Sequence, residues 1–457
     1  MKNRIAACFL VVGFLAAIHP EGRTGIGEDD PLILKARAMV DALSREDFKA
    51  SVRDFDETML KLSGPDKMAA LWKQISGQLG AFQRRSGDRR DKLGHYDIVL
   101  VTCVFEKQTF DFRVVFNPDG RIGGLQTVPT APPAVYAPPD YSDREKLTEA
   151  EVTVGGEPWA LPGTLTMPKG KGPFPALVLV HGSGPNDRDE TLGPNKTFKD
   201  LAWGLASRGI AVLRYDKRTF VHGKKMIADP GYPLMTVKEE TIDDAVAAVR
   251  LLQATPGLDP RRIFILGHSL GGGLLPRIAA AADRLDPAGL IFLAGWNFPM
   301  EDEILRQTTY LLSLDGLQSD DDKKRLNDLR TEVEAIKAFK ESDRGSRELR
   351  LGASAAYWLD LRGYDPLAEV SQVKKPMLFL QGQRDYQVLA VNLGRWKTAL
   401  EGRNDVFFKL YPGLNHLFLE GQGIPTPNEY TLTHKSVSRD VIDDIETFIR
   451  AGRPGQS

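Results

Sequence analysis

Cysteine is nearly absent: Cys8 and Cys103 are the only two among 457 residues. A disulfide scaffold is thereby excluded. Histidine is scarce too, at seven. The chain has no ligand-spaced His/Cys cluster and no phosphate-binding glycine loop, so neither a metal nor an organic cofactor is expected. Charge of one sign does not accumulate. Lys and Arg number 60 against 61 Asp and Glu, a net charge of −1, which excludes a general attraction to nucleic acid or anionic membrane. The basic pairs Arg84-Arg85 and Arg89-Arg90 are short, interrupted by acids, and read as a solvated loop. The apolar stretch from Ile5 to Ile18 is shorter than the roughly 20 residues needed to span a bilayer.

What is present fits a soluble, multi-domain chain. Hydrophobic content of 42% and charged content of 26% are ordinary for a globular protein. The length implies two domains or three. Met1-Lys2-Asn3-Arg4, the apolar stretch and then His19-Pro20-Glu21-Gly22 read as a secretory signal over residues 1–22, with an uncleaved anchor as the competing reading. Removing the signal leaves Cys103 alone, a small buried hydrophobe within VLVTCVFE. A secreted or periplasmic bacterial protein, with no stable membrane insertion once the signal is gone, is the expectation.

Residues 30–127 read as a small α+β domain. The apolar spacing predicts helix from Ile33 to Leu62 and again from Met68 to Phe82. Three strand-like runs follow, YDIVLVTCVFE, QTFDFRVVFN and RIGGLQTV, with a hairpin turn at Asn117-Pro118-Asp119-Gly120. Residues 128–143, with prolines at 129, 132, 133, 138 and 139, read as a semi-rigid extended linker. From residue 144 to 457 the pattern changes. Continuous apolar runs (FPALVLVHG, IAVLRYD, RRIFILGHS, AGLIFLAG) alternate with amphipathic helices, the signature of a parallel sheet covered on both faces.

One strand-to-helix junction carries chemistry. Gly267-His268-Ser269-Leu270-Gly271 ends an apolar strand and starts a helix, so Ser269 sits on a sharp corner with glycines to relieve crowding. A serine hydroxyl needs a base, and the base an orienting carboxylate. On the plan in which serine, acid and histidine follow in that order, each just after a strand, only His416 and His434 come late enough. His416 lies in the loop after VFFKLY, whereas His434 reads as surface. Asp385 follows the apolar strand in KKPMLFLQGQRDYQV; Asp365, before that strand, reads as a helix cap. Backbone donors for a developing oxyanion are expected from Leu270 and from the loop His181-Gly182-Ser183-Gly184-Pro185, at Ser183 or alternatively Gly182. His181 and His268 read as structural.

HGSGPNDRDE, RYDKR, GHSLGG, LQGQRDYQV and GLNHLF together resemble the α/β-hydrolases, similar to their serine-aminopeptidase-like and dienelactone-hydrolase-like esterase branches. The resemblance covers residues from about 150 to 452 and implies an α/β-hydrolase fold: a mostly parallel sheet covered by helices, with a helical lid insertion at about 297–370. The first domain resembles, more loosely, a small α+β domain of unknown function that precedes such hydrolases in secreted bacterial proteins. Trp296, Tyr357 and Trp358 are candidate pocket walls. The composite reading is a secreted serine hydrolase that cleaves small-molecule carboxylic esters through an acyl-enzyme. The alternatives are an amidase or aminopeptidase on the same triad, with Glu301, Asp302 and Glu303 available for an amino terminus, and a non-catalytic binding protein that kept the fold. Oligomeric state is not legible.

Overall fold

Asp30 starts the first helix, α1 (Pro31–Ser44), by accepting the Leu32 and Ile33 N–H groups at 2.9 and 3.4 Å, with Pro31 preset at the first helical position. This computed structural model describes residues 30–93, 96–130, 136–314, 320–431 and 433–451; the expected signal segment and Cys8 lie outside the described residues, as does His95. The chain divides into two compact units that meet in sequence between Pro133 and Ala134.

In the first unit the predicted helix from Ile33 to Leu62 is broken. Glu46 adopts a left-handed φ of 59°, and Asp47 and Asp56 then cap two new short helices, Phe48–Ser51 and Glu57–Leu62. Asp caps compete with helix continuation by binding the backbone locally. A longer helix follows, α2 (Pro65–Leu79). Four strands, not three, form an antiparallel meander: β1 (Phe82–Leu93), β2 (Tyr96–Phe105), β3 (Thr109–Phe116) and β4 (Ile122–Pro129). The segment read as a solvated basic loop is therefore a strand. Its composition, FQRRSGDRRDKL, hides the alternation, and three of its four arginines are held by acids rather than free in solvent. Arg85 pairs with Asp41 at 2.7 Å, Arg89 with the fully buried Asp111 at 3.2 Å, and Arg90 with Asp30 and Asp97. One face of this sheet packs Val99, Val101, Phe112 and Val114 against Ile33, Val40, Leu43 and Trp72 of the helices.

The second unit is built on eight strands: β5 (Leu147–Val154), β6 (Leu161–Pro168), β7 (Phe174–Val180), β8 (Ala211–Tyr215), β9 (Leu258–His268), β10 (Gly289–Leu293), β11 (Met377–Gly382) and β12 (Val406–Tyr411). Their order is β12-β11-β10-β9-β7-β8-β6-β5. Every contact from β12 across to β8 is parallel, while β6 pairs antiparallel with both β8 and β5. Because β7 and β10 are apolar throughout, both faces need a cover. Ala176, Val178, Ile265 and Phe292 face helices 243–253, 270–281 and 391–399, whereas Leu177, Leu179, Leu266 and Ile291 face helices 197–206 and 439–451. The parallel arrangement brings the C-terminal ends of β7, β9, β11 and β12 to one edge, where open α/β sheets bind ligands.

Between β10 and β11 the long insertion contains α4 (Met300–Ser313), α5 (Asp320–Lys337) and α6 (Ala355–Arg362), following α3 (Leu270–Ala281) earlier in the chain. On α5 one apolar face is buried: Leu326, Val333 and Ile336 are at most 5% exposed within a strongly charged helix. Among the described residues, no helix is long and apolar enough to cross a membrane.

The stretch expected as an extended linker is structured at both described ends. Pro129 pairs with Phe110 in the first sheet. In the second unit the Tyr136 hydroxyl donates to Asp200 at 3.0 Å, and the Tyr141 hydroxyl donates to the Val437 carbonyl at 2.7 Å. Aromatic rings bury enough apolar area to dock an otherwise proline-rich segment.

Candidate active site

Ser269 stands between β9 and α3 with φ 52° and ψ −112°, a conformation that costs a non-glycine residue about 1–3 kcal/mol. Its neighbours allow it by lacking side chains. A Cβ on Gly267 would lie 2.3 Å from the Gly271 carbonyl oxygen, and one on Gly271 would lie 2.6 Å from the carbonyl oxygens of Val180 and His181. Strand β7, strand β9 and helix α3 thus meet backbone to backbone, and the Gly271 N–H donates to the His181 carbonyl at 3.1 Å.

Asp385 follows β11 and His416 follows β12. The Asp385 carboxylate is buried. Its Oδ1 accepts the Gln387 and Val388 N–H groups at 2.8 and 2.9 Å, while Oδ2 lies 2.7 Å from His416 Nδ1 and accepts from Gln381 at 3.2 Å. Four-point anchoring of this kind fixes the imidazole plane and leaves Nε2 as the ring atom directed away from the carboxylate. The ring of His268, the residue before Ser269, lies 4.7 Å from that of His416 at a tilt of 45°, so strand end and base are immediate neighbours. Asp365 caps the helix at Pro366–Val370, and His434 bonds the backbone of Ala137; both lie outside this cluster.

The two backbone segments expected to face a carbonyl oxygen differ in availability. Leu270 is the first residue of α3, where an N–H has no intrahelical partner and the helix dipole favours negative charge. Among the described residues, neither the Leu270 nor the Ser183 N–H donates to a protein acceptor. Gly182 is different: its N–H donates to Glu190 Oε1 at 2.9 Å and is already used. A Cβ on Gly182 would come 3.2 Å from that of Ser269, so this loop lies directly against the serine.

Glu190 was hidden in the charged run 187–190. It takes a left-handed φ of 50°, which turns its side chain under the loop. Its Oε2 lies 2.9 Å from His268 Nδ1, and His268 Nε2 lies 3.0 Å from the His416 carbonyl oxygen. The pair is an ion contact whose ring plane is off a straight hydrogen bond. Burial disfavours charge on either partner, yet the mutual attraction outweighs it: Glu190 raises His268 above its ordinary value, and His268 holds Glu190 below its own. His181 differs. Burial depresses it to about 4, which keeps it neutral, and its Nε2 lies 3.1 Å from the Asp187 carbonyl oxygen. The remaining charges of the run are also engaged: Asp187 caps its own turn, Arg188 binds Asp216, and Asp189 binds Lys196 and Arg214.

The aromatic residues proposed as pocket walls divide. Trp358 is 1% exposed, with Nε1 donating to the Arg350 carbonyl at 2.9 Å, and Trp296 packs on Gly273 and Tyr364; both belong to the core, because large rings at these depths are worth more as packing than as a rim. Tyr357 lines a small cavity with Thr219, Met226, Tyr232 and Met235, and donates to Glu240 at 2.6 Å. Among the described residues, no three His, Cys, Asp or Glu side chains converge as a metal would require.

Residues 177–450 match the Alpha/beta hydrolase family, and residues 36–125 match a family described as Protein of unknown function (DUF3887). Esterase EstD of Thermotoga maritima is 37% identical over 415 residues, covering 91% of this chain and 94% of that protein. Among solved structures, an acylaminoacyl peptidase of Pyrococcus horikoshii matches 82% of this chain and 57% of its own, at 13% identity and a TM-score of 0.44. A protein titled a putative dienelactone hydrolase, from Klebsiella pneumoniae, matches 63% of this chain and 92% of its own, at 15% identity and a TM-score of 0.37.

The Glu190–His268 pair makes stability pH-dependent in a defined way. Glu190, lowered in the folded state, contributes above its ordinary value of 4.5 and loses that contribution as pH falls through its folded value. His268, raised in the folded state, contributes fully below 6.5 and loses it as pH rises through its folded value. The stability gap between the wild type and Glu190→Gln is therefore expected to be widest between about pH 4.5 and 6.5 and to narrow on both sides. Denaturant unfolding across pH 4 to 9 measures it; a gap independent of pH means that the pair is not charged in the folded protein.

Proposed function

This chain belongs to the alpha/beta hydrolase family, and from that premise we propose that it is a serine hydrolase of carboxylic esters working through an acyl-enzyme. The observation that carries the proposal is the 2.7 Å Asp385–His416 contact at the same sheet edge as a serine held at φ 52°. In this reading Ser269 Oγ attacks the ester carbonyl while His416 Nε2 takes its proton. Asp385 holds the ring and stabilises the imidazolium that forms. The carbonyl oxygen becomes an alkoxide between the N–H groups of Leu270 and Ser183, whose free donors support that role. His416 then returns the proton to the leaving alcohol, and water repeats the cycle on the acyl-enzyme.

Ester rather than amide hydrolysis has specific support. An aminopeptidase reading needs carboxylates free to bind an amino terminus, but of the three acids at the start of α4 Asp302 pairs with Lys337 at 2.6 Å, Glu303 pairs with Arg306 at 2.8 Å, and Glu301 is buried at 6% exposure. Amide cleavage also requires protonation of a poorer leaving group. The similarity to Esterase EstD over nearly the whole chain supports the same choice. The basic start and apolar stretch before Pro20 support export.

Four measurements test this. Ser269→Ala, Asp385→Asn and His416→Ala should each lower kcat by about 10³-fold or more while unfolding stays cooperative, because triad members act as a unit. Labelling of the wild type by a fluorophosphonate, lost in Ser269→Ala, identifies the nucleophile; an unlabelled, folded wild type returns the chain to a binding role. With paired chromogenic substrates sharing one short acyl group, the ester should turn over far faster than the amide, and equal rates favour a peptidase. Expression of the full chain in a bacterium should place it outside the cytoplasm with a new N-terminus near residue 22; a cytoplasmic product starting at Met1 contradicts export.

A further inference from the structure

The N–H of Ser183 and the carbonyl of Gly182 are opposite ends of one planar amide. The carbonyl end of that amide is bound by a buried cation. Lys217, just after β8, donates from Nζ to the Gly182 oxygen at 2.9 Å and pairs with Glu240 Oε1 at 2.8 Å, with the two side chains only 3% and 7% exposed. Glu240 is held in turn by the Tyr357 hydroxyl. Asn186 reaches the same Gly182 oxygen at 3.3 Å and the Ser183 and Gly184 oxygens at 3.1 and 3.4 Å, so the loop already has a neutral clamp.

We propose that Lys217 is a positioning residue of the oxyanion hole, acting through the 182–183 peptide on the Ser183 N–H. The proposal rests on the reading of Ser269 and Ser183 given above. An ammonium on an amide oxygen favours the charge-separated resonance form, which draws density from nitrogen and strengthens its N–H as a donor. Hydrogen bonds in a chain polarise one another in this way, and burial strengthens the effect. The gain is differential: a neutral ester carbonyl takes little from a stronger donor, whereas the developing alkoxide takes much. A purely structural cation is an expensive way to hold a loop that Asn186 already holds, since burying an ammonium costs several kcal/mol before pairing.

Lys217→Met and Glu240→Gln in the full chain test the proposal, with rates expressed per serine titrated to completion by a fluorophosphonate. Deleting a whole oxyanion donor costs about 10²–10³ in kcat, so weakening one is expected to cost Lys217→Met about 10- to 100-fold, with KM within about threefold. The Ki of a trifluoromethyl ketone, which binds as a hemiketal oxyanion, should rise by the same factor as kcat/KM falls. Glu240→Gln should move both quantities in the same direction by a smaller factor. A change confined to KM, an unchanged ketone Ki, or a kcat within about twofold of wild type overturns the role of Lys217. Should Lys217→Met not fold, Glu240→Gln decides by the same criteria. Ser269→Ala separates the two levels: its retained turnover overturns the underlying reading, whereas its inactivity beside an unaffected Lys217→Met overturns this proposal alone.

Discussion

The Glu190 carboxylate lies where two loops and the end of a strand must keep a fixed separation. One oxygen takes the Gly182 N–H, the other faces His268, and His268 reaches the backbone of His416. The loop after β7, the strand end before the serine and the loop after β12 are thereby referred to a single side chain. Such a pair is weak evidence for stability, because desolvation of both charges offsets most of their attraction. Its value is in geometry: a buried charge tolerates few alternative arrangements.

Around this point the backbone does what side chains cannot. The corner at Ser269 is strained, and the absence of Cβ atoms at Gly267 and Gly271 lets neighbouring main chains close around it. Strain of this kind persists only where the surroundings over-determine it. Here they do so through contacts of Gly271 with β7 and of Ser269 N–H with the Leu293 carbonyl at 2.9 Å. The serine is consequently set by three strands at once, whereas Asp385 and His416 are set by their own loops and by each other.

Much of this was legible in the sequence because it rests on strand-sized apolar runs. The parallel sheet, the corner at Ser269 and the meeting of Asp385 with His416 all follow from which residues come just after such runs. What depends on a single backbone dihedral was not. Glu46 at φ 59° splits a helix whose apolar spacing continues unbroken, and Glu190 at φ 50° turns a surface-looking acid beneath the Gly182 amide. Strand β1 was missed for another reason: three of its four arginines satisfy buried and half-buried acids, so polarity there does not mean solvent. Trp296 and Trp358 show the converse, since aromatic residues near a site are often core.

Tyr357 belongs to the insertion between β10 and β11, the segment freest to differ in length and sequence without disturbing the sheet. Its hydroxyl nevertheless reaches Glu240, which holds Lys217 against the loop beside the serine. In engineering terms the insertion is not an exchangeable cassette. A graft that reproduced the shape of a new binding surface but lacked a phenol at this position would leave a buried carboxylate one donor short, and transplanted specificity would arrive with a defect in the scaffold beneath it.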